Sequence, residues 1–140
     1  MNYQNEDAAM GAGAIALSDE SSSPQVLVVD DTPAIRHFLA LLLRASGYRV
    51  LEAEDGLAAK RIISTERPAL VISDLEMPIS DGWDVVSFCH KHCPETPVMI
   101  VSGALGKRPE IESWAAGSLM KPFSVQSLRA EVERLLPRAA

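Results

Sequence analysis

From Gln25 onward, short runs of consecutive apolar residues alternate with longer segments in which apolar positions recur every three or four residues. Uninterrupted apolar runs mark strands buried on both faces, and a period near 3.6 marks helices with one inward face, so the alternation predicts a parallel sheet between two helical layers. Val26 to Val29 is the first strand. Thr32-Pro33 supplies an N-cap and a proline at the first helical position, and Ile35, Phe38, Leu39, Leu42 and Leu43 form the stripe of a helix ended by Gly47. Tyr48 to Ala53 is a second strand, and Gly56 to Glu66 a second helix that stops before Pro68. Ala69 to Ser73 is the third strand, and Trp83, Val85, Val86 and Cys89 mark the third helix. Val98 to Val101 is the fourth strand, Lys107 to Ala116 a weak helix, and Ser118 to Met120 a brief fifth strand. Ser124 to Leu136, with Val125, Leu128, Val132 and Leu135 on one stripe, is the last helix. The expected fold is α/β, with five strands doubly wound by five helices.

Residues 1–24 are rich in Ala, Gly, Ser and Asn and close on Ser21-Ser22-Ser23-Pro24, so they read as a flexible tail, with residues 25–140 as the domain. Met10 to Leu17 is apolar enough to form a helical turn on a partner. Lys and Arg are absent from the first 24 residues, which excludes a positively charged secretory start. The longest clean apolar run, Leu39 to Leu43, is far short of the roughly 20 residues needed to cross a bilayer. Two cysteines cannot staple a chain of this size, so a reducing cytoplasm is the expected setting.

Charge is unevenly divided. Four of the 19 acids lie in the first 24 residues, leaving 15 acids against 13 bases in the rest. A nearly neutral domain lacks the excess of Lys and Arg that binds phosphate backbones, which excludes direct nucleic-acid contact.

The chemistry gathers at strand ends. Asp30 and Asp31 follow the first strand and Asp74 follows the third. In a doubly wound sheet of order 2-1-3-4-5 these strands are neighbours whose connections leave toward opposite faces, and their carboxyl ends form the ligand crevice. Three carboxylates so placed repel, at about 4 kcal/mol per pair at 4 Å and an effective dielectric of about 20. A hard divalent cation with oxygen ligands, Mg²⁺ retaining some waters, offsets this; the alternative is a raised pKa on one acid. Ser102 and Lys121 end strands four and five on the same rim. A metal, an ammonium and a hydroxyl are the groups that stabilise a phosphoryl on an aspartate, with Asp74 as nucleophile.

Val-Val-Asp30-Asp31-Thr-Pro, Asp74-Leu-Glu-Met77-Pro78-Ile-Ser-Asp81-Gly82, Val101-Ser102-Gly and Met120-Lys121-Pro122-Phe123 stand in that order. Over residues 25–136 the chain resembles the CheY-like receiver domain of two-component response regulators. The resemblance implies a flavodoxin-like fold and a phosphoryl group received on Asp74 from a histidine kinase or phosphotransfer protein. It also implies Mg²⁺ held directly by Asp31 and Asp74, through water by Asp30, and by the main-chain carbonyl of Glu76, with a cis Lys121-Pro122 peptide. A single-domain, cytoplasmic switch is expected, with only slow self-catalysed phosphotransfer and dephosphorylation rather than enzymatic turnover. It would meet a downstream protein through helix four, strand five and helix five, with no direct nucleic-acid or membrane partner. The rivals are a phosphorylation-independent pseudo-receiver that docks constitutively, and an aspartyl phosphatase, which resembles an Asp-x-Asp pattern that Asp30-Asp31-Thr32 lacks.

Two departures bear on the switch. The position three before the lysine, aromatic in most of the family, is Ser118, and Lys121 follows Ser102 by only 19 positions. Gly103, Gly106, Pro109 and Gly117 weaken the intervening helix, so phosphorylation is expected to remodel it without an aromatic rotation. Glu76 and Ala104 are expected to tune dephosphorylation. Cys89-His90-Lys91-His92-Cys93 offers zinc-type ligands, but His90 and His92 diverge by roughly 200° on a helix, and Cys89 continues the core stripe. His37 reads as a half-exposed helical residue, and Trp83 and Trp114 as packing residues with one polar edge.

Overall fold

The computed structural model describes residues 23–103 and 109–136. The tail expected over residues 1–24 therefore lies almost wholly outside the described residues, as do Lys107, the expected start of the weak helix, and Ala104. Five parallel strands, β1 (Gln25–Val29), β2 (Arg49–Ala53), β3 (Leu70–Asp74), β4 (Val98–Ser102) and β5 (Gly117–Met120), form one sheet in the order β2-β1-β3-β4-β5. Between and after them run α1 (Pro33–Ala45), α2 (Gly56–Glu66), α3 (Gly82–His92), α4 (Pro109–Glu112) and α5 (Val125–Leu135). This is the flavodoxin-like topology expected.

Side chains alternate across the sheet and separate two cores. On one face Leu27, Val29, Val71 and Ile100 pack with Ala59 and Ile63 of α2 and Val85, Val86 and Cys89 of α3. On the other, Val26, Val28, Leu70, Ile72, Met99 and Val101 pack with Leu39 and Leu43 of α1 and Leu128 and Val132 of α5. Every residue of β3 and β4 is buried, which is why these strands read as unbroken apolar runs.

Several boundaries move by one residue, and at the site the shift matters. Asp74 and Ser102 are the last residues of β3 and β4 rather than the residues after them, so ladder pairing as well as chain direction fixes their backbones. Asp55, Asp81 and Ser124 cap α2, α3 and α5 by accepting N–H bonds from Ala58, Asp84 and Ser127. Thr32 makes no side-chain cap bond to α1, although Pro33 opens the helix and Gly47 leaves it at φ +97° as expected. The α1 stripe is narrower than its sequence. Ile35 and Phe38 stay 39% and 54% exposed, because the inward face runs through Leu39, Ala40 and Leu43, and at about 100° per residue both side chains fall to one side of that arc. The weak helix shrinks, among the described residues, to the four of Pro109–Glu112.

Ile63→Ala on one face and Leu128→Ala on the other should each cost about 2–5 kcal/mol in urea unfolding, since both side chains are fully buried. The double variant should lose the sum to within about 0.5 kcal/mol. Marked non-additivity would mean that the sheet does not separate the two cores.

Candidate functional site

The carboxyl ends of β1 and β3 bring together one oxygen from each of Asp30, Asp31 and Asp74, all within 4.8 Å of one another. Among the described residues this is the one such group of potential metal ligands. Asp30 is 2% exposed and closes an Asx turn, its Oδ1 accepting the Thr32 N–H at 2.8 Å. Its own N–H donates to the Ala53 carbonyl at 3.1 Å, and Arg36 donates to its carbonyl at 2.8 Å. Asp30 thus forms the turn with Oδ1 and leaves Oδ2 for the site. Asp31 faces solvent.

Lys121 completes the rim: its ammonium lies 3.3 Å from Asp74 Oδ1 and 4.0 Å from Asp30 Oδ2. A backbone bond from the Lys121 N–H to the Ser102 carbonyl, 2.9 Å long, sets the lysine beside the end of β4. Ser102 is 1% exposed and one residue beyond Val101, the ladder partner of Asp74. The Lys121-Pro122 peptide is cis, as the resemblance implied.

Behind Asp74 the chain is tightly folded. Gly82 opens α3 directly against the Asp74 and Leu75 backbone, donating to the Leu75 carbonyl at 2.9 Å; a Cβ there would overlap the Asp74 carbonyl. Between them Ser80 N–H donates to the Pro78 carbonyl at 2.7 Å, closing a three-residue turn around Ile79 at φ +71°. A β-branched residue in that region is strained by about 1–3 kcal/mol. Ile79 is also 81% exposed at the mouth of a cavity of about 330 Å³ lined with Asp31, Pro33, Arg36, Glu54, Asp55 and Pro78.

Burial pushes the Asp74 carboxyl above its ordinary 3.8; Lys121 opposes this, Asp30 adds to it, and the Glu76 N–H, directed at the carboxylate, lowers it. The Glu76 peptide is thus at the site through its N–H. Three carboxylates are a hard oxygen donor set, and they fit a hard divalent cation.

Other candidates separate from this centre. Cys89 and Cys93 are both 2% exposed within the α2–α3 core, and burial pushes the Cys89 thiol up to about 12. His90 stacks on Trp114 with ring centroids 3.9 Å apart, while His92 tilts against Phe88, so the four zinc-type ligands do not converge. His37 is exposed and pairs with Glu52 at 2.7 Å. Trp83 is buried in the core and Trp114 is partly exposed. Ser118 is exposed on β5. Arg36, Gly82 and the Glu76 N–H were not apparent as site elements from sequence; Asp81-Gly82 beside a cap was the available signal for the second.

A carboxyl whose folded-state pKa lies above 3.8 keeps its proton, over an interval of pH, after the unfolded chain has released it. Stability therefore falls as pH rises through that interval, and the deficit persists at neutrality. Metal-free Asp74→Asn should be more stable than the parent at pH 7, and the gap should close as pH falls to 3.8. Urea unfolding at both pH values checks this; a gap that widens in acid would contradict it.

Comparison with known proteins gives one consistent answer. Residues 26–133 match the model of the response regulator receiver domain. Transcriptional regulatory protein PrrA of Mycobacterium tuberculosis is 36% identical over 120 residues, covering 84% of this chain and 52% of that protein. RpaA of Synechocystis, a DNA-binding dual master transcriptional regulator, is 32% identical over 121 residues, covering 82% of this chain and 50% of its own length. The chain thus spans about half the length of the curated relatives it matches. Response regulator TrrA of Thermotoga maritima, solved in complex with Mg(2+)-BeF, superposes with a TM-score of 0.76 at 30% identity, covering 81% of this chain and 99% of TrrA. CheY4 of Vibrio cholerae, a chemotaxis response regulator, gives 0.76 at 30% identity, covering 82% of this chain and all of CheY4. With the fold, the acidic cluster and the family match in agreement, this chain belongs to the response regulator receiver domains.

Proposed function

We propose that Asp74 is the phospho-acceptor of this receiver domain, taking a phosphoryl group from the phosphohistidine of a histidine kinase or phosphotransfer protein. The observation that carries this is the meeting of Asp30, Asp31 and Asp74 within 4.8 Å, with the Lys121 ammonium 3.3 Å from Asp74. The P–N bond of the donor breaks as a P–O bond to an Asp74 carboxylate oxygen forms, and the imidazole leaves with a proton. Hydrolysis later returns the carboxylate and inorganic phosphate, so the domain is a slow self-resetting switch rather than a turnover enzyme.

Asp31, Asp74 and the Glu76 carbonyl would hold Mg²⁺, with Asp30 acting through water. The ion supplies positive charge to the phosphoryl oxygens when bound. Lys121 already neutralises the Asp74 oxygen it faces, and its three donors match a group bringing about −2 charge. Ser102, at the end of β4, would donate a hydrogen bond to the same group. One such bond, roughly 1.5–3 kcal/mol, is less than the about 5.5 kcal/mol that carries a two-state equilibrium from 1:99 to 99:1. The switch is therefore distributed over Lys121, Ser102 and the cation.

Output passes by protein contact through α4, β5 and α5, where Trp114, Met120 and Val125 leave apolar surface exposed. Among the described residues no helix is long and apolar enough to cross a membrane. Both cysteines are unpaired, in keeping with work in the cytoplasm. The near-neutral domain is assigned no nucleic-acid contact of its own.

The full chain, incubated with Mg²⁺ and acetyl phosphate or phosphoramidate, should gain the mass of one phosphoryl group. Asp74→Asn and chelation should each abolish the gain, and Lys121→Met should slow it roughly ten- to a hundred-fold. An adduct that persists in Asp74→Asn would overturn the assignment. No adduct on the parent would favour a constitutive docking module, and multiple turnovers of a phosphate ester a hydrolase.

A further inference from the structure

Arg36 ties the acidic turn to the sheet. Its Nη1 donates to the Asp30 carbonyl at 2.8 Å and its Nε to Glu52 Oε1 on β2 at 3.1 Å. The Arg36 side chain is only 13% exposed. It stands in the first turn of α1, where the helix dipole disfavours a cation, so its place there depends on a dedicated partner. Glu52 is that partner, and it also meets His37 at 2.7 Å and Arg44 at 3.8 Å.

The Asp30 carbonyl belongs to the peptide plane that leads into Asp31. With its N–H on Ala53, Oδ1 on the Thr32 N–H and carbonyl on Arg36, Asp30 is held at three points. The last of these fixes the plane that aims Asp31, which is exposed and lies toward the cavity that Arg36 also lines. We propose that Arg36, anchored by Glu52, is a positioning residue for the cation site, an inference that rests on the Mg²⁺ reading above.

The sign of the effect separates positioning from simple electrostatics. As a bare positive charge beside Asp31, Arg36 would repel a cation, and its removal would tighten binding. As a positioning residue, its removal weakens binding. Calorimetric Mg²⁺ titration of Arg36→Met should show Kd raised about ten-fold or more, the scale on which supports of metal ligands act. The metal-free variant should stay folded, with its amide spectrum shifted at Asp31 and Thr32. Arg36→Lys should not restore affinity, because one ammonium lacks the rigid fork that joins Glu52 to the Asp30 carbonyl. Arg44→Met, which touches Glu52 but not Asp30, should bind Mg²⁺ like the parent. Affinity equal to or tighter than the parent in Arg36→Met overturns the inference. If that variant does not fold, unchanged affinity in both Arg36→Lys and Glu52→Gln overturns it instead. A parent chain that takes up no Mg²⁺ overturns the cation reading itself.

Discussion

Mutual repulsion among Asp30, Asp31 and Asp74 is the constraint on which this molecule turns. Oxygens held within 4.8 Å carry a penalty of about 3.5 kcal/mol per pair or more at an effective dielectric of about 20, less where Asp31 meets water. The fold imposes it: β1 and β3 are ladder neighbours whose connections leave toward opposite faces, so their last side chains meet at one crevice. In the protein alone, Lys121 offsets part of the penalty, while burial, opposed by Lys121 and helped by Asp30, lifts the proton affinity of Asp74. Such a cluster is a hard oxygen donor set for a cation, and the phosphoryl group proposed for Asp74 would change its charge balance in one step.

The surroundings keep the acids from relaxing apart. Two buried cores brace the sheet, and Asp74 ends a strand with no exposed residue. Gly82 lets α3 press on the Asp74 backbone, while the turn at Ile79 holds a conformation its side chain disfavours. Strain of this kind persists only where neighbours over-determine it. The Ser80 hydroxyl, donating to Asp84 at 3.1 Å, and the Ser80 carbonyl, accepting the Gly56 N–H at 2.9 Å, supply that determination.

Most of the fold was legible because a doubly covered parallel sheet writes itself as apolar runs, and helices as stripes. The same rule located Asp30, Asp31, Asp74, Ser102 and Lys121 at strand ends. Less legible were features made of backbone. Thr32 looks like a cap by residue type, yet the Asp30 side chain takes the Thr32 N–H and the helix is left with Pro33 as its opening. Ile35 and Phe38 fit the α1 stripe by period, but the buried face is turned toward Ala40 and away from them. The Arg36 link joins residues 6 and 16 apart through a side chain and a carbonyl, which no local pattern encodes. Nor does periodicity show that His90 stacks on Trp114, joining α3 to the segment before β5.

In the site proposed for this domain, one divalent ion is held by groups from two different strands. Manganese, a paramagnetic substitute for magnesium, broadens amide signals near its binding site. Titrated into the isotopically labelled chain, it should erase the amides of Asp30, Asp31, Leu75 and Glu76 together, and Asp74→Asn should abolish the effect. Broadening confined to one strand end, or centred on Cys89 to Cys93, would contradict the account.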